Sequence, residues 1–432
     1  MPKSKTTILY TLIAPVLILG LAAVLPGCKE ETFDKAELEF WGVFDDSDIW
    51  RQLIEDFNKE YSYIEIKYYK KNYQTYEKDL LDAMASGRGP DIFMMHNTWL
   101  PRYGNKIWAA PSDLISLKQV QDNFVDVVEQ DFVSDDGYLA ALPLSVDTLA
   151  LYYNKDIFNT AGIPQPPATW EEFLETVEKS VIKDERGNIV RAGAALGTAR
   201  NINRSTDIIS LLMLQSGAQM VNRNKTAATF NQSASLNGEN FYPGERALQF
   251  YIDFTDPLKS IYTWNTRMDY SIDAFYQGKT AMMFNYAYNL STVRAKSPYL
   301  NFGIAPMPQI KDSAKDINYS NYWALAVSHN SGAVKQAWQF IIWANQKENA
   351  QKYLEATKKP TARRDLVNGQ KADPDLGVFA EQSLTAYSWY QVDNSAIEQY
   401  LADMVESVVL GQTTIKDALN KAANQITLLM QE

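Results

Sequence analysis

Cysteine is nearly missing: the 432-residue chain has one, Cys28. No internal disulfide can form, so stability has to come from the size of the buried core. Histidine is almost as scarce. His96 and His329 are the only two, which argues against zinc chemistry, and no metal or cofactor is expected. Positive charge is in deficit, with 41 Lys and Arg against 52 Asp and Glu. A net charge of -11 supplies no basic face for a phosphate backbone and argues against nucleic acid as a partner. Hydrolase and nucleotidase signatures are missing as well: there is no Gly-x-Ser-x-Gly elbow, His-Glu-x-x-His helix or Walker loop. No internal repeat or heptad pattern occurs, and long apolar runs are limited to one near the N-terminus.

What is abundant is aromatic: 10 Trp and 25 Tyr. Such side chains offer flat apolar faces with a polar edge, useful in a core and in a binding site. The single apolar run, Ile8 to Val24, is about 17 residues, at the short edge of a membrane span. Lys3 and Lys5 precede it and Val24-Leu25-Pro26-Gly27-Cys28 ends it, the layout of an export signal. A cysteine directly after the cut resembles the lipobox of bacterial lipoproteins, from which Pro26 departs. That resemblance implies a signal over 1–28, a lipid anchor on the Cys28 thiol, a polar tether over 29–37, and a body held at the outer face of the cell membrane. An uncleaved anchor would leave the body outside as well.

The body, about 400 residues, exceeds what one core usually serves, so two domains are expected. A strand at Leu38–Val43, a helix capped by Ser47 or Asp48 with Ile49, Leu53 and Phe57 on one face, a strand at Tyr63–Tyr69, a helix at Tyr76–Ala85 and an apolar strand at Asp91–Met95 read as βαβαβ. A long extended stretch runs from Ala140 to Asn154. Thr169 with Glu172 reads as a capping box before a helix carrying Phe173 and Val177. Further helices are expected near 205–216, 244–257, 269–277, 333–345, 395–410 and 414–430. Strands are expected at 280–284, 302–305 and 323–328. Residues 223–241, 311–320 and 358–374 read as polar connections. The late strands point to a second α/β unit inserted in the first.

Several segments, in this order and spacing, resemble the extracellular solute-binding proteins of sugar-type ABC importers, the broad group that includes maltose-binding protein. They are Ser86-Gly87-Arg88-Gly89-Pro90-Asp91-Ile92, Leu142-Pro143 through Asn154-Lys155 to Trp170, Phe275-Gly278-Lys279, Gly303 to Pro308, and Trp323-Ala324-Leu325 leading to Trp338. The polar insertion 223–241 departs from the pattern. The resemblance implies an α/β, two-lobe periplasmic-binding-protein fold of type II with a ligand cleft between lobes. Lobe one would be 36–146 plus 325–360, lobe two 149–322 plus 363–432, and the crossings would lie near 145–149, 321–325 and 360–363. It also implies a monomer that captures a carbohydrate, an oligosaccharide above all, for ABC permease subunits, with no catalysis. The alternatives are an exported glycan-acting hydrolase and a binding protein for a non-sugar ligand.

Ligands of open α/β sheets sit beyond the C-terminal ends of strands. That rule picks Phe44, Asp45 and Asp46 after the first strand, with Trp41 near them, and His96, Asn97, Thr98 and Trp99 after the third; Asp45, Asn97 and Trp99 are the foremost candidates. The resemblance adds Asp147 at the cleft floor and Asn285 or Tyr286 after a late strand. It also adds Trp323 and Arg363 at the second and third crossings, and Trp389 in a loop before a helix. For six of them there is a structural alternative: a cap for Asp45, a core position for Trp41 and for Trp389, packing between lobes for Trp99, an arginine or backbone cluster for Asp147, a bridge between lobes for Arg363.

Overall fold

A computed structural model of the protein describes residues 1–2, 35–236 and 238–431. Contacts divide the chain into Met1–Lys35 and Ala36–Glu432. The apolar signal run, Cys28 and the tether up to residue 34 lie outside the described residues. Among the described residues no helix is long and apolar enough to cross a membrane.

The first sheet grows from alternating strand and helix: β1 (Ala36–Gly42), the helix Ser47–Glu60, β2 (Ile64–Lys70), the helix Tyr76–Ala85 and β3 (Ile92–His96). Ala36 and Glu37, expected in the tether, already pair with β2. β1 runs parallel to both neighbours, with Phe40 opposite Tyr68 on one side and Ile92 on the other. Every residue of β3 is buried, as a strand covered on both faces requires. The helix Ser47–Glu60 buries Trp50, Leu53, Ile54 and Phe57. Its inward stripe is therefore centred one residue later than Ile49–Leu53–Phe57. Its cap is Asp46, whose side chain pairs with Lys70 and makes no capping bond. A side chain at Gly42 would collide with Tyr68, whose hydroxyl bonds the Asp45 carbonyl at 2.7 Å. That close approach pins the loop that follows β1.

The chain next adds the short strands β4 (Ile107–Trp108) and β5 (Ala141–Leu142), then builds a second sheet. Its strands are β6 (Ala150–Asn154), β7 (Ile182–Lys183) and β8 (Ile189–Ala194). The hairpin β9 (Ala234–Leu236) and β10 (Glu239–Phe241) stands apart, inside the stretch read as a polar loop. β11 (Thr280–Asn285) and β12 (Phe302–Ala305) complete the sheet in the order β12-β6-β11-β8-β7. Thr169 caps the helix Trp170–Ser180 by accepting from the Glu172 amide. The Glu172 carboxylate returns to the Ala168 amide, one residue earlier than a capping box prescribes.

After β13 (Asn318–Tyr319), β14 (Trp323–Ser328) returns to the first sheet. It pairs antiparallel with β3, β4 and β5, Trp323 lying opposite His96. The first sheet thus reads β2-β1-β3-β14-β4, parallel except at β14 and its partners. Helices Val334–Ala344 and Lys347–Thr357 cover it. The stretch 358–374, read as a loop, holds the helix Arg364–Gln370, anchored by Leu366 and Val367. β15 (Ala386–Tyr387) pairs with β13, and helices Asn394–Val409 and Ile415–Leu429 close the chain.

Two hydrophobic cores result. Phe40, Trp50, Phe57, Phe93, Trp338 and Phe340 anchor the first; Tyr152, Phe173, Tyr251, Trp264 and Phe275 anchor the second. Each such side chain contributes about 1.5–3 kcal/mol on burial, which offsets the lack of disulfides. The chain changes core between Val146 and Leu149, between Tyr319 and Tyr322, and between Leu366 and Leu376, and Ala386 alone packs again with the first core. The first two changes lie side by side: Thr148 bridges to Ser320, and the Asn321 amide donates to the Asp147 carbonyl. Ala362 and Leu366 pack with the first core, so the third change falls after 360–363.

Candidate functional site

An aromatic wall stands at the C-terminal ends of β1 and β3. Trp323, the first residue of β14, is its centre. Its ring lies 5.1 Å from Trp99, 5.2 Å from His96 and 5.4 Å from Phe44, all edge to face. Tyr76 and Tyr73 lie at 6.0 and 6.3 Å. Trp99 is buried against Tyr76, whereas Phe44 and Tyr73 keep 43% and 60% of their surface exposed. The exposed rim of this wall is an apolar face of the kind that sugar C–H groups cover. His96 is held in place from both sides: its Nδ1 meets the Thr98 hydroxyl at 2.8 Å and its Nε2 the Asn321 side-chain oxygen at 3.2 Å. Burial, opposed by the Asn321 bond and aided by the Arg204 charge, pulls its pKa down to about 4, so the ring is neutral at ordinary pH.

A second wall is built around Arg204. Arg204 has φ +58, a left-handed conformation rare for a residue with a side chain, just before the helix Ser205–Gln215. Its Nε and Nη2 both donate to one Asp207 oxygen, at 2.8 and 2.7 Å, and its Nη1 lies 3.3 Å from Glu398. The Tyr286 hydroxyl donates to the same Asp207 oxygen at 2.7 Å. Burial alone would lower the Arg204 pKa; Asp207 and Glu398 outweigh it and hold the guanidinium well above its ordinary value. Tyr288 stacks on Tyr286 with rings 5.8 Å apart and 15° from parallel, and 53% of it stays exposed. The two walls meet along the start of the helix Asn394–Val409. Trp99 Nε1 donates to Asn394, Arg102 pairs with Asp393 at 2.8 Å, and Glu398 follows one turn later.

Asp147 lies at the first change of core. Its carboxylate accepts from the Ala287 and Tyr288 amides at 3.0 and 3.1 Å. It therefore ties that crossing to the turn that carries Tyr288. Burial raises its pKa to about 7 against those bonds.

A separate cavity of about 710 Å³ opens where Asn97, Asp131, Tyr138, Ser388 and Trp389 meet. Asp131 accepts from Asn97, from the Tyr322 hydroxyl at 2.8 Å and from Ser388. It thus joins groups of both cores. Burial raises its pKa to about 6, the three bonds opposing.

Residues 42–351 match the family model described as bacterial extracellular solute-binding protein. The chain belongs to that family. The galactooligosaccharide-binding protein of Bacillus subtilis is 24% identical over 440 residues, 98% of this chain and 97% of the relative. The sn-glycerol-3-phosphate-binding periplasmic protein UgpB of Pectobacterium atrosepticum is 23% identical over 415 residues, 88% of this chain and 87% of the relative. The solved sugar-binding protein MalE of Xanthomonas citri superposes with a TM-score of 0.77 at 18% identity, over 91% of this chain and 97% of that one. The fold is the maltose-binding-like, type II periplasmic-binding-protein fold.

Within this solute-binding fold the sequence-derived candidates separate into three groups. Trp323 and Trp99 share the aromatic wall, and Asp147 lies at the crossing beneath Tyr288. Asn97 and Trp389 line the separate cavity; the Trp389 indole N–H is buried without a partner. The rest are held in bonds of their own. Asp45 accepts from Tyr353 at 2.6 Å and from Lys359. Trp41 is buried under the Lys71 ammonium. The Asn285 oxygen accepts from the Tyr286 amide and Asn289, and its amide nitrogen is buried without a partner. Tyr286 is fully buried and supports Tyr288. Arg363 is spent on Asp365, the Asn345 carbonyl and Asn123. Sequence reasoning placed Phe44 at the strand end without choosing it, and missed Tyr73, Arg204, Asp207, Tyr288 and Glu398. Phe44 and Tyr288 each stand beside a residue that was chosen; nothing local distinguishes Arg204 or Glu398.

Proposed function

We propose that this protein is the substrate-binding component of an ABC importer, that it captures a carbohydrate between the aromatic wall and the Arg204–Tyr288 wall, and that it delivers it to a membrane permease. The observation that carries this reading is the pairing of part-exposed aromatic faces (Phe44, Tyr73, Trp323, Tyr288) with fixed polar groups, linked through Trp99 and the start of the helix Asn394–Val409. A sugar needs both: apolar rings for its C–H faces, and carboxylate and guanidinium groups for its hydroxyls. The family and the galactooligosaccharide-binding relative support it. The protein acts by binding and leaves its ligand unchanged. The two cores act as lobes that turn about the crossings near residues 147 and 321, so that closure buries the ligand between them. The sugar drives closure only by the difference in its affinity for the two states.

The test is a thermal-shift and calorimetric screen of mono- and oligosaccharides, amino acids and peptides. The expected result is a saccharide bound with a dissociation constant of roughly 0.1–10 μM, about 7–10 kcal/mol. Binding to peptides alone, or cleavage of a bound glycan, overturns it. The anchor is proposed to be a lipid on Cys28. Metabolic lipid labelling of the wild type should be lost in Cys28→Ser, and label retained by that variant contradicts the anchor.

A further inference from the structure

Arg204 lies where a guanidinium could hold the anionic group of a ligand, and one relative, UgpB of Pectobacterium atrosepticum, is named for a phosphate ester. In this chain the charge is already taken. Two of its nitrogens are bound by Asp207 and a third faces Glu398, so one cation stands between two carboxylates. The ammonium of Lys359 is likewise bound, to Asp45.

We propose that Asp207 and Glu398 are specificity-determining residues: by clamping Arg204 they make the cleft admit uncharged saccharides and reject anionic ones such as uronic acids and sugar phosphates. The inference rests on the carbohydrate reading above and narrows it. The clamp is built in. Asp207 is buried in the first turn of its helix, and one of its oxygens gathers Arg204 and the Tyr286 hydroxyl. Arg204 is fixed further by its left-handed backbone and by the Tyr286 ring 5.9 Å from its guanidinium carbon. An anion approaching Arg204 would have to displace Glu398 or lie beside a surplus negative charge. A hydroxyl meets no such barrier: it can donate to the carboxylates and accept from the guanidinium. Discrimination here comes from the repulsive element as much as from the attractive one.

The experiment is calorimetric titration of the full chain at low salt with matched pairs of saccharides, galactotriose with trigalacturonic acid and maltose with maltose 6-phosphate among them. Wild type, Glu398→Gln and Asp207→Asn are compared, with thermal melting to confirm that each is folded. Wild type should bind the uncharged member of a pair at least about tenfold more tightly, and Glu398→Gln should narrow that ratio by freeing part of the Arg204 charge. Should buried Asp207→Asn fail to fold, Glu398→Gln decides, since Glu398 is part-exposed. Equal or tighter binding of the anionic member by wild type overturns the inference and leaves the carbohydrate reading standing, as does an unchanged ratio in folded Glu398→Gln. Binding of no member of any pair removes the carbohydrate reading, and the inference falls with it.

Discussion

Replacing Trp323 with Ala removes the centre of the aromatic wall. Five rings lie within 6.3 Å of it. Edge-to-face pairs are worth about 0.5–1.5 kcal/mol each and do not simply add. Truncating a fully buried Trp costs about 3–5 kcal/mol. Trp323 is only part-buried, so a stability loss of about 2 kcal/mol is expected from packing. If a sugar ring covers its exposed edge, binding should weaken by a further ~2 kcal/mol, about 30-fold, as for a well-packed interfacial aromatic. Urea unfolding reads the first quantity and calorimetric titration with the best saccharide of the screen reads the second. Trp323→Phe should recover most of both. A folded Trp323→Ala protein with unchanged affinity would refute the wall as a ligand surface and leave it as packing alone.

Tyr286 and Tyr288 should separate support from contact. Tyr286→Phe deletes the 2.7 Å bond to Asp207 and should cost about 1.5–3 kcal/mol of stability, whereas Tyr288→Ala should weaken saccharide binding with under ~1 kcal/mol of destabilisation. Arg363→Ala should lower stability by about 3 kcal/mol in urea and leave affinity unchanged, because its donors serve Asp365, Asn345 and Asn123; a selective loss of affinity would contradict this. Asp131 has its folded pKa raised to about 6, above an ordinary carboxylate, so the folded state holds its proton longer than the unfolded one. Its contribution to stability is full below about pH 4 and is lost as pH rises to about 6. The loss is about 3 kcal/mol, and the urea midpoint of Asp131→Asn should not show that fall; an identical pH profile would exclude Asp131 as its source.

Elements of both sheets were legible because their signals are local. The helix Tyr76–Ala85 and the strands Phe302–Ala305 and Trp323–Ser328 fall at the residues their apolar patterns mark. Misreadings follow where burial is thin. The helix Arg364–Gln370 hides in a polar stretch because only Leu366 and Val367 face inward, and the β9–β10 hairpin because its strands carry polar residues. The site was legible only in part. A residue's place near a strand end can be read from the chain, but its partner cannot. Asp45 looks free in sequence and is held by Lys359, 314 residues away. Tyr286 and Tyr288 are equivalent in sequence. The Asp207 carboxylate decides between them by drawing one hydroxyl into the core. The same carboxylate holds Arg204, and with Glu398 it makes a clamp that no local spacing announces.

The most direct test of carbohydrate capture is a crystal structure of the full chain with the saccharide that binds best in the screen. The account predicts an intact sugar with ring atoms within about 4.5 Å of Trp323 and Tyr288 and hydroxyls bonded to the Arg204–Asp207–Glu398 group. A saccharide lodged in the Trp389 cavity with the aromatic wall bare, or one cleaved at its glycosidic bond, would contradict it.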